Sequence, residues 1–144
     1  MQNNLVVKVK KLDPEAILPS YAHPGDAGLD MYSNEEVTVM PGEIGKIKSG
    51  ITVEVPDGYV GLFWDKSGLS MNNGIKTLAG VLDSGYRGEV VFGVINLGKE
   101  PYTFKKGHKV LQMLIQKVER AEIVELDKLS DTSRGAGGFG STGK

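Results

Sequence analysis

Asp83 is the first residue whose setting could do chemistry. It lies in Gly80-Val81-Leu82-Asp83-Ser84-Gly85-Tyr86-Arg87-Gly88-Glu89, between apolar stretches. Asp-Ser-Gly is turn chemistry, so the segment reads as a hairpin or a strand end. On one reading Asp83 caps the turn and Arg87 pairs with Glu89. On the other Asp83 is a base and Tyr86 a platform for a sugar. A carboxylate with an ordinary pKa of about 4 is ionised at neutral pH and can accept a proton from water. Asp30, in Asp26-Ala27-Gly28-Leu29-Asp30, divides similarly: it holds a metal through water or it caps a turn. Lys66-Ser67-Gly68 follows a strand and opens a short helix, which brings backbone N–H groups and a cation together in a way that suits phosphate.

A further cluster lies in the tail. The glycines from Gly135 to Gly143 free backbone N–H groups to point at an anion, and Arg134, Ser141 and Thr142 add side-chain donors. Phe139 stands among them, to stack on a base or simply to be exposed. Gly135, Gly137 and Gly140 match G-x-G-x-x-G, and Gly138, Gly143 and Lys144 match much of a phosphate loop. Both motifs need a strand before and a helix after, and the sequence ends at Lys144. His23 and His108 lie near turn glycines and read as surface residues. No H-E-x-x-H, G-x-S-x-G or Cys/His spacing supports a zinc or serine hydrolase.

The elements that must position these residues are mostly strands. Ile51 to Val55 alternates apolar and polar, as a half-buried strand does. Leu5 to Lys10, Tyr59 to Trp64, Val90 to Leu97, Val110 to Val118 and Ala121 to Leu126 read likewise and are rich in Val and Ile. Pro24-Gly25, Pro41-Gly42, Pro56-Asp57-Gly58 and Gly98 to Pro101 mark turns. Many short strands between regular turns predict an all-β sandwich or jelly-roll-like barrel. The one helix expected is a turn or two within Ser67 to Asn73, before Gly74. After Ser130 the composition turns to Gly, Ser and Thr, so residues 131–144 read as a flexible arm on a β domain of residues 1–130.

Composition sets the outer bounds. The chain has 144 residues, 40% hydrophobic and 24% charged, enough for one domain with a core. Its net charge is −1, which argues against a broad basic face for nucleic acid and leaves room only for a small polyanion. No apolar run nears the roughly 20 residues of a membrane helix. The N-terminal Met1-Gln2-Asn3-Asn4 lacks the regions of a signal peptide, so a cytoplasmic location is the expectation. With no cysteine, disulfides and thiolate metal sites are excluded.

Five segments, taken in order, resemble the trimeric dUTPase family (deoxyuridine triphosphate nucleotidohydrolases). They are Ala27 to Ser33, Lys66 to Ser70, Gly80 to Glu89, Gly107 to Leu114 and Arg134 to Gly143, and they spread over nearly the whole chain. The resemblance implies a β jelly roll that forms a homotrimer with sites built from several chains. It implies Mg²⁺-assisted hydrolysis of dUTP to dUMP and pyrophosphate, which limits uracil in DNA and supplies dUMP for thymidylate synthesis. Asp83 would deprotonate the water that attacks the α-phosphorus, and Tyr86 would lie under the deoxyribose. The hairpin around Leu78, Gly80 and Val81 would read uracil. Lys66, Ser67, Gly68 and Gln112 would hold phosphates, and Asp30 would help place Mg²⁺ through its waters. Arg134 would meet the γ-phosphate, Phe139 would cover the base, and Gly138, Gly140, Ser141 and Thr142 would complete the phosphate cradle as the arm closes.

Two departures stand out. The second segment usually reads Pro-Arg-Ser-Gly and here reads Asp65-Lys66-Ser67-Gly68; the fourth usually has arginine where Lys109 stands. Lysine keeps the charge but loses the planar, bidentate fork, and Asp65 adds a negative charge beside a phosphate site. Reduced activity, or compensation by another basic residue, would follow. Two rival readings go with them: a related dCTP deaminase, and a binding or regulatory protein that has lost turnover.

Overall fold

Short strands that are apolar on one face gain stability only by pairing and by laying that face against another sheet. The computed structural model, which describes residues 4–143, solves this with antiparallel sheets. Met1, Gln2, Asn3 and Lys144, and the readings placed on them, lie outside the described residues. In chain order the strands are β1 Lys8–Lys11, β2 Leu29–Tyr32, β3 Val37–Val39, β4 Ile44–Lys48, β5 Ile51–Glu54 and β6 Tyr59–Trp64. Helix α1, Ser67–Asn73, is followed by β7 Ile75–Leu78, β8 Val81–Leu82, β9 Val91–Asn96, β10 Tyr102–Phe104 and β11 Lys109–Lys117. A four-stranded sheet has the order β2-β11-β6-β8 and a three-stranded sheet the order β4-β9-β7, with pairs β1-β5 and β10-β3 beside them. The result is a jelly-roll-like β fold.

The core lies between these sheets. Met31, Ile47, Val53, Phe92, Phe104, Leu111 and Met113 are fully buried. Phe63 of the four-stranded sheet meets Phe92 of the three-stranded sheet edge-on, at 5.9 Å between centroids, a favoured aromatic geometry. On β9 the alternation is strict: Phe92, Val94 and Asn96 turn inward, and Val91, Gly93 and Ile95 turn outward. The β2–β11 register shifts between Lys109 and Leu111. Val110 and Leu111 are consequently both buried, although they are consecutive. Such a bulge re-aims a side chain, here Lys109.

The β6 expectation holds to the residue, and those for β5, β9 and β11 hold within one or two. The first strand begins later than expected, at Lys8. Helix α1 falls where expected and ends at Gly74, whose φ of 70° gives the left-handed cap. The strand expected over Ala121 to Leu126 is absent: these residues form no strand and are exposed. Alternation tells which face of a strand would be buried, not whether a partner exists. The ladder ends at the bond from Val118 N–H to the Gly58 carbonyl.

Candidate active site

Asp30 is carried inward by β2 and is 2% exposed. A buried carboxylate is costly unless cations meet it, and two do. Lys66 Nζ donates to Oδ1 at 2.5 Å, and Lys109 Nζ lies 2.9 Å from Oδ2. The Lys109 contact is an ion pair at hydrogen-bonding distance, so each carboxylate oxygen faces one ammonium. Burial works to raise the Asp30 pKa, and the lysine contacts outweigh it, holding the carboxyl below its ordinary range. The same pairing raises the Lys109 pKa. Both lysines that depart from the family's usual arginines therefore converge on one carboxylate. Asp30 sits within a strand, and its side chain pairs with Lys66 before α1 and Lys109 on β11, so the turn-cap alternative does not describe it.

Gln112 stands opposite Asp30 on one side and Trp64 on the other. Its Nε2 donates to the Asp65 carbonyl at 2.9 Å. Gly28 makes room for it, because a Cβ there would lie 2.2 Å from Gln112 Oε1. Ser67 and Gly68 are exposed in the first turn of α1. A cleft of about 530 Å³ runs past Lys66, Gly68, Leu69, His108 and Lys109. Cations, a helix start and open space together can take up phosphate.

A second cleft, of about 220 Å³, is lined by Phe63, Ala79, Val81, Leu82, Asp83 and Tyr86, with Glu89, Val90 and Val91. Asp83 is exposed at the end of β8, and the turn that follows is closed by Tyr86 N–H to the Asp83 carbonyl at 3.2 Å. The Tyr86 hydroxyl donates to the Glu89 carbonyl at 2.9 Å. Arg87 does not pair with Glu89: its guanidinium donates to the Ser84 and Tyr86 carbonyls and reaches Glu54 at 3.6 Å. Leu78 ends β7, and Gly80 accepts from Phe63 N–H at 2.8 Å. Between them Ala79 takes φ 56°, a left-handed conformation costly for a non-glycine residue.

The tail joins neither cleft. Among the described residues, every hydrogen bond within 131–143 is local, as from Arg134 Nε to the Gly137 carbonyl at 2.8 Å. Phe139 is fully exposed with φ 53°. Gly140, Ser141 and Thr142 lie in a separate turn closed by Gly143 N–H to the Gly140 carbonyl at 3.0 Å, and Gly138 is in the irregular stretch before it. The structure thus gathers Asp30, Lys66 and Gln112, gathers Val81, Asp83 and Tyr86 elsewhere, and leaves the arm apart. Sequence reasoning missed Ala79, Phe63 and the role of Asp65, whose carboxylate turns away from Lys66 toward β7. The fear of a bare negative charge beside the phosphate site is met by Lys76, 2.7 Å from Asp65 Oδ2. No local pattern announces that pair, since its members come from either side of a helix.

Among the described residues no three His, Asp or Glu side chains cluster as a direct metal site. With an ammonium at each oxygen, Asp30 is a poor direct ligand. Oδ2 is buried beneath Lys109, so Asp30 would meet a cation's water only once that lysine moves aside.

A jelly-roll-like β protein with two lysines and a helix start on one cleft, and a carboxylate beside a tyrosine on another, has the groups that a nucleotide-handling hydrolase uses. Comparison with known proteins makes this specific. The dUTPase family profile matches residues 14–143, and the chain belongs to the dUTPase family. It is 49% identical over 137 residues to the deoxyuridine 5'-triphosphate nucleotidohydrolase of Clostridium kluyveri, covering 94% of this chain and 96% of that one. It is 45% identical over 140 residues to that of Thermobifida fusca, covering 95% and 78%. The dUTPase of Staphylococcus bacteriophage 80alpha with dUpNHpp superposes with a TM-score of 0.88, at 28% identity, covering 98% and 100%. A mutant dUTPase of phage phi11 of S. aureus, described as coordinating a structural Mg(II) ion, gives 0.80 at 26% identity, covering 85% and 97%.

Proposed function

We propose that the protein hydrolyses dUTP to dUMP and pyrophosphate, with Asp83 as the base. The single observation that carries the role of Asp83 is its freedom. Asp30 and Asp65 are each held by lysines and kept below the ordinary carboxylate range, which makes them weak proton acceptors. Asp83 has no cation paired with it among the described residues and opens on a cleft beside Tyr86. Asp83 takes a proton from water as the water's oxygen bonds to the α-phosphorus; the bond from that phosphorus to the bridging oxygen breaks, and pyrophosphate leaves. Tyr86 lies under the deoxyribose and crowds out a 2′-hydroxyl, and Leu78, Gly80 and Val81 flank the uracil. Lys66, Ser67, Gly68 and Gln112 take the phosphates, with Lys109 beside them.

Mg²⁺ would be held chiefly by the triphosphate it arrives with, and Asp30 would help hold its waters once Lys109 moves aside. When bound, it offsets the negative charge that repels the nucleophile. The working protein is a homotrimer in a cytoplasmic setting. Two observations support assembly. The cleft of Asp83 and the cleft of Lys66 have no lining residue in common, which suits a site completed by a second chain. Ile123 is 89% exposed, and Val124, Leu126 and Leu129 are exposed with it, an apolar run that a neighbouring chain can cover. Residues 131–144 form a lid: Arg134 meets the γ-phosphate, Phe139 covers the base, and Gly138, Gly140, Ser141 and Thr142 wrap the phosphates. Hydrolysis in ¹⁸O-labelled water tests the chemistry. Label in dUMP is expected, and label in pyrophosphate alone would move the attack to the β-phosphorus.

A further inference from the structure

Asp65 occupies the junction between β6 and α1 and is bonded in two directions. Its carbonyl accepts from Gln112 Nε2 at 2.9 Å, on the side of Asp30 and the phosphate cleft. Its carboxylate reaches the other sheet: Oδ1 accepts from Thr77 N–H at 2.6 Å, and Oδ2 pairs with Lys76 Nζ at 2.7 Å. Thr77 is on β7, the edge strand of the β4-β9-β7 sheet. An edge strand offers unpaired backbone groups on its free side, and Asp65 satisfies one of them.

The consequence lies two residues on. β7 leads directly into Ala79, the left-handed residue, and past Gly80 into Val81; Ala79 and Val81 both line the Asp83 cleft. A non-glycine residue persists in that conformation only where its surroundings hold it. One hold is the bond from Phe63 N–H to the Gly80 carbonyl. The other is the grip of Asp65 on β7 just upstream. β8, which carries Asp83, has its own anchorage, through Gly61 opposite Leu82 and Leu62 opposite Val81.

We infer that Asp65 is a positioning residue whose carboxylate, through Thr77 N–H, fixes the Leu78–Gly80 turn and so tunes nucleobase recognition. This inference rests on dUTP being the substrate. Because Asp83 is anchored separately, loss of the brace weakens base binding more than proton transfer. The Thr77 bond carries the effect. The half-exposed Lys76 pair contributes little, as solvent-screened pairs do.

The test compares the parent with Asp65→Ala, Asp65→Asn and Lys76→Met, reading kcat and KM for dUTP and dTTP and hydrogen exchange at the Thr77 amide. Asp65→Ala is expected to raise KM for dUTP by about tenfold, the scale of one lost charge-assisted hydrogen bond. It should also narrow the preference for dUTP over dTTP and speed Thr77 exchange, with kcat much less affected. Asp65→Asn keeps an acceptor for Thr77 N–H and should restore most of KM and of the exchange protection. Lys76→Met should match the parent. Unchanged KM and exchange in Asp65→Ala would overturn the inference. So would an Asn variant as defective as Ala, or a lowered Tm with intact kinetic constants. A parent that fails to turn over dUTP would strike the functional reading instead, and Thr77 exchange, measured without substrate, would still decide the brace.

Discussion

At the scale of single residues, carboxylates are sorted by their partners. Asp30 and Asp65 serve as anchors for lysines, and the proposed function leaves Asp83 to accept a proton. Asp83→Asn preserves shape but cannot take that proton, so kcat should fall by about 10²–10⁴-fold with nucleotide binding largely retained. Near-native kcat would assign the base elsewhere. Asp30 yields a prediction in pH. Its folded pKa is depressed, so its stabilisation is complete above the unfolded value, about 3.9, and is lost as pH falls through the lower folded value. The parent's Tm should therefore drop on acidification below about pH 4, and Asp30→Asn should be flatter over that window. At pH 7 the variant should be less stable by about 2 kcal/mol. That is below the 3–5 kcal/mol of a fully buried broken pair, because both lysines can reach solvent. Parallel acid limbs in thermal melts of the two proteins would contradict the assignment.

At the scale of elements, what could be read in advance was whatever depends on near neighbours in sequence. Tyr59 to Trp64 and Ser67 to Asn73 announce themselves by Val and aromatic content, by turn residues and by a terminal glycine. β2, β3 and β7 are only three or four residues long, too short for a periodic signal, and their pairing is settled by distant partners. The same holds for the site. Motif resemblance picks out Asp30, Lys66 and Gln112 one at a time, but their meeting needs β2, β6 and β11 in register and a bulge at Lys109. Gly28 links the two scales: Gly28→Ala should push Gln112 aside and raise KM for dUTP by about tenfold with little change in Tm, as expected for one displaced charge-assisted contact. An unchanged KM would mean that Gln112 does not touch substrate. The arm is legible in composition but not in placement, since among the described residues its hydrogen bonds are all internal. Deleting residues 131–144 should leave Tm nearly unchanged, because these residues bury no core, and should cut kcat/KM severely. Full activity after truncation would exclude a lid, and unfolding would make the arm structural.

At the scale of the whole molecule, the separate clefts, the exposed run from Ile123 to Leu129 and the unplaced arm all call for the same thing, which is other copies of the chain. Light scattering should give a particle three times the 15.5 kDa chain. If sites are shared, mixing Asp83→Asn with Lys66→Ala chains through unfolding and reassembly should recover activity that neither has alone. No recovery would place both residues in a site within one chain. The central claim, turnover of dUTP by this chain, is tested most directly by pyrophosphate release from dUTP, UTP, dTTP and dCTP, with and without EDTA. The account predicts release from dUTP in strong preference to the other three, suppressed by EDTA. Comparable kcat/KM for UTP and dUTP, nucleotide binding without release, or ammonia from dCTP would contradict it.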